Sequence, residues 1–524
     1  MKRGGLTRRD MLQGGGVAVI GAGALTLAGI GGYAWPHTAS ANADTDAPPA
    51  PATPDDSRGV LHFVTRPDLN PPAITIAHYD RQRGVPDGDP PYFVLAPAGY
   101  PHTGPGEPGL MIMRRGSNDI VWYAPNTAYP ASKGLGRMDL QVQTYRGQPV
   151  LTWWEGQVVK GVGYGKAVIA DTSYRTIATI NAGNGLQVDL HDFIITPQGT
   201  ALITAAGRMP ADLSALGGPR HGVALSGVVQ EIDIATGTVL FQWDSLDHVP
   251  VTDTHMTFAG GTKADPFDYF HVNSVAIAPD GDLLVSARNT WAIYKVARPG
   301  GGVTWQLGGK HSSFRMGAGA TFYWQHHARP HGSNVLSIFD DGASPAEERQ
   351  SRGILLELDT SAMKATLQHS YTHPAGLLAA NQGSVQLLDN GRVLVGWGNL
   401  PYFSEFLPDG TLILDGQFPV GDQSYRAFAA NWTGHPTDKP AIVAEPNPAG
   451  GSIVYASWNG ATQLDSWTVL AGSSASGLRR VGAQRRGGFE TAITVNTTGP
   501  YFAVTADDAR GNVLARSATV HISK

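Results

Sequence analysis

Short apolar runs separated by turns that contain proline and glycine make up most of this chain. Pro197-Gln198-Gly199, Pro279-Asp280-Gly281 and Pro330-His331-Gly332 each lie between two apolar runs and predict β-hairpins. Further turn-centred units recur at residues 388–394 and 407–413. Long helical periodicity is hard to find, which disfavours an α/β enzyme. The pattern therefore predicts an all-β protein.

The turn-centred units span much of residues 60–430, at a repeat of several tens of residues. Short strands with this punctuation favour the blades of a β-propeller, which protects its strand edges by radial closure. A β-helix or a large β-sandwich is the alternative. Near residue 431 the pattern changes to alternating strands such as 453–458 and 467–470, so we expect a β-sandwich-like domain over residues 431–524.

The beginning of the chain has the features of an export signal. Thr7-Arg8-Arg9-Asp10-Met11-Leu12 is of the twin-arginine type and precedes a weakly apolar, glycine-rich run. We expect residues 1–43 to be a signal peptide that is cleaved after export by the Tat translocase, rather than a retained membrane anchor. Residues 44–59, rich in Ala, Pro, Thr and Asp, read as a disordered linker. The predicted location is secreted or extracytoplasmic, without stable membrane insertion.

Composition narrows the possible partners. The 524 residues are 42% hydrophobic and carry a formal net charge of −5, so bulk charge does not indicate nucleic acid or an anionic membrane surface. The chain contains no cysteine, which excludes disulfides and lipid attachment at cysteine. Because Tat substrates usually fold before transport, the protein has to reach its stability without disulfides.

Candidate chemistry comes from histidines that precede the three proline-glycine turns. His191, His271 and His326 each lie an even number of residues before a turn. Because strand side chains alternate between faces with a period of two, the three imidazoles could occupy equivalent faces of successive strand pairs. Asn273 and Arg288 are close by in the sequence. Clustered histidine, asparagine and arginine side chains favour chemistry on an anion.

Together these motifs resemble the arylsulfate sulfotransferases, in particular the secreted branch of actinobacteria and fungi. The resemblance covers roughly residues 60–500. The motifs that carry it are Arg66-Pro67-Asp68-Leu69, His191-Asp192-Phe193, Asp268-Tyr269-Phe270-His271-Val272-Asn273-Ser274, Ser286-Ala287-Arg288, Trp305-Gln306-Leu307-Gly308-Gly309-Lys310, Gln325-His326-His327-Ala328-Arg329, Gly396-Trp397-Gly398 and Ser457-Trp458-Asn459-Gly460-Ala461-Thr462. The resemblance implies a six-bladed propeller over residues 60–430 and a channel histidine that is transiently sulfated.

The resemblance also implies roles for individual residues. His326 matches the nucleophilic histidine, Arg288 the sulfate-binding arginine, and His271 with Asn273 the family's His-x-Asn element. His191 matches a further channel histidine. The implied substrates are a phenolic sulfate ester as donor and a phenol as acceptor, with no nucleotide sulfate, metal or other cofactor.

The chemistry of these residue types supports the roles independently. Neutral imidazole is a competent nucleophile near its pKa of about 6.5, and it can pass a sulfuryl group on. His271 could protonate the leaving phenolate and then deprotonate the incoming phenol. Arg288 offers a planar fork to sulfuryl oxygens, while Asn273 and His191 could supply neutral donors.

Two other classes of function remain open from the sequence. Converging histidines could bind a divalent metal, with Asp192, His255 and His327 as further ligands, in a hydrolase or lyase. Arg288 argues against such a site because a nearby cation weakens metal binding. A non-catalytic propeller that binds a cell surface or a glycan would fit the aromatic content of 9%. Such a module would not require the three histidines and Arg288 to occupy equivalent positions on successive strand pairs.

Overall fold

The computed structural model describes residues 59–86, 88–98, 103–128 and 133–522. Regular structure within these ranges is almost entirely β-strand, and no α-helix occurs there, so the all-β prediction is confirmed. No helix in the described ranges is long and apolar enough to span a bilayer. The predicted signal peptide over 1–43, and the predicted linker over 44–59 except for its last residue, lie outside the described residues.

Thirty-four strands are described, and four 3-10 helices of three residues each lie in the connections between them. The strands that precede residue 431 are β1 (Thr75–Tyr79), β2 (Tyr92–Ala98), β3 (Gly109–Arg114), β4 (Ile120–Pro125), β5 (Leu135–Tyr145), β6 (Gln148–Val159), β7 (Val162–Ala170), β8 (Thr176–Ile180), β9 (Val188–Ile195), β10 (Thr200–Ala211), β11 (Gly222–Asp233), β12 (Val239–Asp244), β13 (Val272–Ile277), β14 (Leu283–Ala287), β15 (Ala292–Val296), β16 (Val303–Gly308), β17 (Arg315–Met316), β18 (His326–His331), β19 (Val335–Asp340), β20 (Arg352–Asp359), β21 (Lys364–Tyr371), β22 (Ser384–Leu387), β23 (Val393–Gly396), β24 (Tyr402–Phe406), β25 (Leu412–Gln417) and β26 (Gln423–Ala430). The later strands are β27 (Ala441–Pro446), β28 (Ser452–Ser457), β29 (Ser466–Gly472), β30 (Arg479–Arg485), β31 (Glu490–Val495), β32 (Tyr501–Asp507), β33 (Val513–Arg516) and β34 (Val520–His521). The 3-10 helices are Ser214–Leu216, Ser245–Asp247, Val251–Asp253 and Arg288–Thr290.

Most of the strands before residue 431 form antiparallel groups of four. Strands β5–β8 and β9–β12 are two such groups, joined into one sheet by a single bridge between Gly165 and Val188. Strands β13–β16, β18–β21 and β22–β25 are the next three groups. Two short strands extend the edges, since β17 pairs with β21 and β1 pairs with β25.

The remaining group combines strands that are far apart in the sequence. Strand β26 pairs antiparallel with β2, which continues through β3 to β4, and the register places Phe93 opposite Ala429. The first strands of the groups contact one another in succession, in the order β5, β9, β13, β18, β22, β26 and back to β5. Side chains on these strands are therefore brought together from distant parts of the chain.

Apolar side chains fill the spaces between neighbouring groups. One cluster joins β13–β16 to β18–β21 through residues such as Ile293 and Ile338, both fully buried. A strand covered on both faces buries consecutive side chains, which explains why 283–285 reads as an unbroken apolar run rather than an alternating one.

Two of the three predicted proline-glycine hairpins lie where the sequence places them. Pro197-Gln198-Gly199 joins β9 to β10, and Pro279-Asp280-Gly281 joins β13 to β14. At the third position, Pro330 and His331 still belong to β18, and the turn to β19 is formed by residues 332–334. The hairpin is present there, but its turn begins at the glycine.

The strands after residue 430 pair with one another. Strands β27, β28 and β31 form one sheet, and β29, β30, β32, β33 and β34 form a second. Their shared core contains Trp467, Val454 and Phe502, all fully buried. Phe489 packs against Phe63, with ring centroids 4.2 Å apart, and so joins this part of the chain to the earlier sheets.

Candidate active site

The five predicted site residues lie close to the first strands of three consecutive groups. His191 lies within β9, His271 directly before β13, Asn273 within β13, Arg288 directly after β14, and His326 is the first residue of β18. Because strands alternate in direction, connections that enter a first strand and connections that leave a second strand lie at the same end of their sheets. The proline-glycine turns lie at the opposite end.

The positions of the histidines do not all follow from strand alternation. His271 lies outside β13 with a φ of +55°, a left-handed conformation that is uncommon for a residue other than glycine. The even spacing before the turn therefore does not determine which way its ring points. The rings of His271 and His191 nevertheless meet, with centroids 4.7 Å apart and planes at 79°.

His326 is held on both sides of its ring. The residue is 1% exposed, and its Nδ1 lies 2.8 Å from Oδ2 of Asp341. The backbone N–H of Gln382 donates to Nε2 at 3.3 Å. Since Nε2 accepts this bond, the ring hydrogen is on Nδ1, and Asp341 is its acceptor. The Nε2 lone pair of His326 is therefore the one that faces the 380–382 segment.

The other two histidines have the same kind of partner. Nδ1 of His271 lies 2.5 Å from Oδ2 of Asp268, and Nδ1 of His191 is hydrogen-bonded to Asp189. All three site imidazoles thus pair with an aspartate through Nδ1. A carboxylate on one ring nitrogen fixes the orientation of the ring and leaves the other nitrogen for chemistry.

Arg288 carries a charge that its hydrogen bonds do not neutralise. It donates to the carbonyl of Ala380 at 2.9 Å and to the side-chain oxygen of Asn289 at 3.1 Å, both of them uncharged acceptors. Its Nε is buried without a partner, and its guanidinium carbon lies 4.7 Å from the centre of the Trp324 ring. Arg288 and His326 contact the same short segment, at Ala380 and Gln382. The guanidinium therefore lies near enough to His326 for its charge to lower the pKa of that ring, and its hydrogen bonds to Ala380 and Asn289 involve no carboxylate.

Asn273 also lies at this centre, but one of its donors is already engaged. Its side-chain N–H donates to the carbonyl of Gln325, the residue before His326, at 2.6 Å, while its Oδ1 is buried without a partner. Asn273 thus fixes the backbone that carries His326. The substrate-binding role of Asn273 stays a prediction.

Burial and nearby charges control the protonation of the site. Burial lowers the pKa of His326 well below its usual value, and the charges of Arg288 and His191 lower that pKa further. Burial likewise lowers the pKa of His191, although Asp189 opposes that shift. Burial raises the pKa of Asp341, and Arg288 opposes the rise. His326 is therefore uncharged at neutral pH, as a nucleophile has to be.

The three aspartates that pair with the site histidines were not predicted from the sequence. Asp189 and Asp268 lie two and three residues before their histidines, so a search for carboxylates close to each histidine would have found them. Asp341 lies fifteen residues after His326 in the sequence. The two come together because β18 pairs with β19 in a register that places His326 opposite Phe339, and this register could not be predicted from the sequence.

The residues proposed as additional metal ligands have other partners. Asp192 binds Arg329 at 2.8 and 2.9 Å and Arg426 at 2.9 Å. His255 stacks on Trp291, and Nδ1 of His327 accepts from the backbone of Val385. Among the residues that the structure describes, no three His, Cys, Asp or Glu side chains are arranged to hold a metal ion.

Comparison with known proteins gives a family and several distant structures. Residues 141–419 match the model of a family described as arylsulfotransferase (ASST). No curated protein matches the chain. Similar solved structures include a protein of unknown function from Bacteroides caccae, with 13% identity, covering 64% of this chain and 98% of that one at a TM-score of 0.40. A protein from Lactobacillus plantarum has 14% identity, 77% and 99% coverage and a TM-score of 0.34.

The family match begins within β5 and ends shortly after β25. It contains His191, His271, Arg288 and His326 together with their aspartate partners. Because the match spans more than half of the sequence, this chain belongs to the arylsulfotransferase (ASST) family.

Proposed function

We propose that this protein transfers a sulfuryl group from a phenolic sulfate ester to a phenol, without a nucleotide sulfate, through a sulfohistidine on His326. Membership of the arylsulfotransferase family supports aryl sulfotransfer in general. One observation supports the finer mechanism: the accepting Nε2 of His326 and the guanidinium of Arg288 meet at the same 380–382 segment.

In the first half-reaction, the Nε2 lone pair of His326 attacks the sulfur of the ester. The nitrogen–sulfur bond forms as the bond from sulfur to the phenolic oxygen breaks, and the departing phenolate takes a proton from His271. The hydrogen bond from Gln382 to Nε2, at 3.3 Å, is long and easily exchanged for substrate.

Two charged side chains stabilise this step. Arg288 binds the sulfuryl oxygens, as its planar fork favours, in a buried site where electrostatic interactions are strong. The imidazole of His326 gains positive charge when sulfur bonds to Nε2. Arg288 favours the ionised form of Asp341, and in that form the carboxylate on Nδ1 compensates the positive charge of the sulfated ring.

The second half-reaction reverses these steps with a different phenol. The acceptor gives its proton to His271 and attacks sulfur, the sulfur–nitrogen bond breaks, and His326 returns to its neutral form. His191 packs against His271 and, through Asp189, keeps its own ring fixed. We assign His191 the role of orienting the phenolic oxygen near His271.

The proposal extends to the architecture. We propose that the six groups of four strands are the blades of a closed propeller over residues 60–430, followed by a sandwich-like domain over 431–524. The pairing of β26 with β2, and the ring of contacts among first strands, support closure. The pairing of β27–β34 among themselves supports the second domain. A crystal structure would test both assignments directly.

We also propose export by the Tat translocase, with cleavage of residues 1–43 and a secreted or extracytoplasmic location. The twin arginines Arg8 and Arg9 and the glycine-rich apolar run after them support this assignment.

The mechanism is tested by looking for the covalent intermediate. Purified protein is mixed with p-nitrophenyl sulfate and quenched, and peptides are analysed by mass spectrometry for a sulfuryl group on His326. We expect the adduct in the wild type and its loss, with at least a 10³-fold drop in transfer, in His326→Ala.

His331→Ala is a suitable control because His331 lies on the same strand and bonds to Ser337 at the opposite end from the site. Transfer close to the wild-type rate in His326→Ala, with the fold intact by circular dichroism, would exclude His326 as the nucleophile.

A further inference from the structure

We infer that Trp291, with His255 and Tyr323, forms the binding surface for the aromatic ring of the substrate. The inference rests on the proposed function, because the ring in question belongs to the ester whose sulfuryl group binds Arg288. The proposed subsite binds a planar aryl group, and Trp291 is the residue that selects for it.

The rings form a continuous aromatic cluster beside Arg288. His255 and Trp291 are stacked, with centroids 3.5 Å apart and planes within 8°. Trp291 also meets Tyr323 and Trp324 edge to face, at 5.0 Å in each case. Trp324 in turn lies under the guanidinium of Arg288. The cluster therefore leads from the protein surface to the group that binds the anion.

Exposure distinguishes this cluster from an ordinary core. Trp324 is 1% exposed, whereas His255, Trp291 and Tyr323 are partly exposed. Large aromatic side chains left at the surface beside a charged site are typical of ligand contacts. The inner end of the cluster is thus fixed by packing, and the outer end is accessible to a ligand.

The backbone ties the cluster to the site. Trp291 directly follows the turn that Arg288 begins, and its N–H donates to the Arg288 carbonyl at 3.2 Å. The N–H of His255 donates to the carbonyl of Asn289 at 2.7 Å. Trp324 lies two residues before His326. A ring bound on Trp291 would therefore keep a fixed position relative to both Arg288 and the nucleophile.

Two polar atoms of the cluster point to a ligand independently of the packing. The indole nitrogen of Trp291 and Nε2 of His255 are buried without hydrogen-bond partners. Buried tryptophans usually donate to the protein, as Trp324 does to the carbonyl of Pro345 at 3.0 Å. Burial, and then the charge of Lys310, lower the pKa of His255 to about 4, so its ring is neutral at physiological pH. An aryl ring on the exposed part of Trp291 would pack beside these two atoms, which the protein leaves without partners.

The test compares binding of phenyl sulfate and inorganic sulfate to the full chain by calorimetry. We expect Trp291→Ala to weaken phenyl sulfate binding by about 10-fold, which corresponds to the loss of one aromatic contact with its buried area, and to leave inorganic sulfate binding unchanged. Trp291→Phe should recover most of the affinity. Tyr323→Leu should give a smaller loss of the same kind and serves as a second variant if Trp291→Ala fails to fold.

Trp305→Ala is the matched control. Trp305 is a partly exposed tryptophan on β16 that packs edge to face on Phe314, away from Arg288. The Trp305→Ala variant should bind phenyl sulfate and inorganic sulfate with wild-type affinity. Wild-type affinity for phenyl sulfate in Trp291→Ala, or equal weakening of both ligands, would overturn the inference.

The same samples separate this inference from the proposed function. If the wild type forms the adduct on His326 but the Trp291 variants bind phenyl sulfate normally, the aryl subsite is rejected and sulfuryl transfer is supported. Selective loss of phenyl sulfate binding in those variants, without any adduct in the wild type, would retain the subsite and remove the mechanism.

Discussion

For each site histidine, one aspartate determines which ring nitrogen pairs with a carboxylate and which does not. Asp341, Asp268 and Asp189 all bind Nδ1, so the Nε2 atoms of the three rings are left for the reaction. A histidine paired in this way can act as nucleophile or as proton carrier, and its surroundings decide between the two. His326 lies in the most buried position beside Arg288, whereas the side chain of His271 is 13% exposed.

Residue roles can be separated with a series of donors that differ only in phenol acidity. Arg288→Lys keeps the charge but loses the planar fork, so we expect transfer to slow by about 10- to 100-fold for every donor alike. His271→Ala should slow esters of weakly acidic phenols most and spare p-nitrophenyl sulfate, whose phenolate leaves with little help. The measurement is kcat/KM across the series.

His248→Ala is the control for this series, because His248 stacks on Trp243 outside the site. An equal loss for all donors in His271→Ala would show that His271 is not the general acid. A loss in Arg288→Lys that varies with phenol acidity would contradict its role in binding the sulfuryl oxygens.

The pH dependence of the first half-reaction follows from the environment of His326. Burial and the surrounding Arg288, His191, His271 and Arg426 lower its pKa well below the ordinary 6.5. A lowered pKa means that the neutral nucleophile persists as the pH falls, so adduct formation should not decline between pH 7 and 6. Rapid-quench measurement with p-nitrophenyl sulfate, which needs little proton donation, would show this directly. A decline centred at pH 6.5 or above would contradict the assignment.

Among strands and turns, the sequence predicts those features whose conformation depends on neighbouring residues alone. The turns at 197–199 and 279–281 depend on proline and glycine at fixed positions, and both lie where predicted. The conformation of His271 could not be predicted in this way, because its positive φ depends on the segments packed around it. His191 and His271 are in contact, but strand alternation cannot account for it, because His271 lies outside a strand.

Contacts between strands that are far apart in the sequence could not be predicted either. Arg426 on β26 binds Asp139 on β5 and Asp192 on β9, and it donates to the carbonyl of Asn273 on β13 at 3.1 Å. Asp139 and Arg426 are separated by 287 residues. This buried network connects the first strands of three groups to β26, and it fixes the strand from which Asn273 supports His326.

The strands after residue 430 should stabilise the protein without taking part in the reaction. The Glu490 carboxylate accepts from the backbone of Val64 and Thr65 and from the Thr65 hydroxyl, at 2.5–3.1 Å. Glu490→Ala removes these charged hydrogen bonds, at a cost of about 2–4 kcal/mol, and should lower Tm by a few degrees. Because the contacts lie away from His326, kcat/KM at 25 °C should stay within twofold of the wild type.

Glu445→Ala is the matched control, since Glu445 is an exposed glutamate on β27 of the sheet that also contains Glu490. It should change neither Tm nor activity. A large loss of activity at 25 °C in folded Glu490→Ala would show that the site depends on this contact and would contradict the separation of roles.

For the molecule as a whole, the topology determines when folding can finish. The sheet formed by β26, β2, β3 and β4 needs residues from both ends of the first 430, so it cannot form until most of the chain has been synthesised. The chain has no cysteine, so no disulfide formed after export could complete the fold. Both features are consistent with the proposed export in the folded state.

Export should therefore depend on the twin arginines and on a completed fold. We expect replacement of Arg8 and Arg9 by lysine to leave folded, active precursor in the cytoplasm, measured by fractionation and by the transfer assay. Arg3→Lys, which changes a basic residue outside the pair, is the control and should be exported. Ala427→Pro, which removes a backbone N–H within β26, should block folding and hence export even with both arginines present. Efficient export of the double lysine variant would exclude the Tat route.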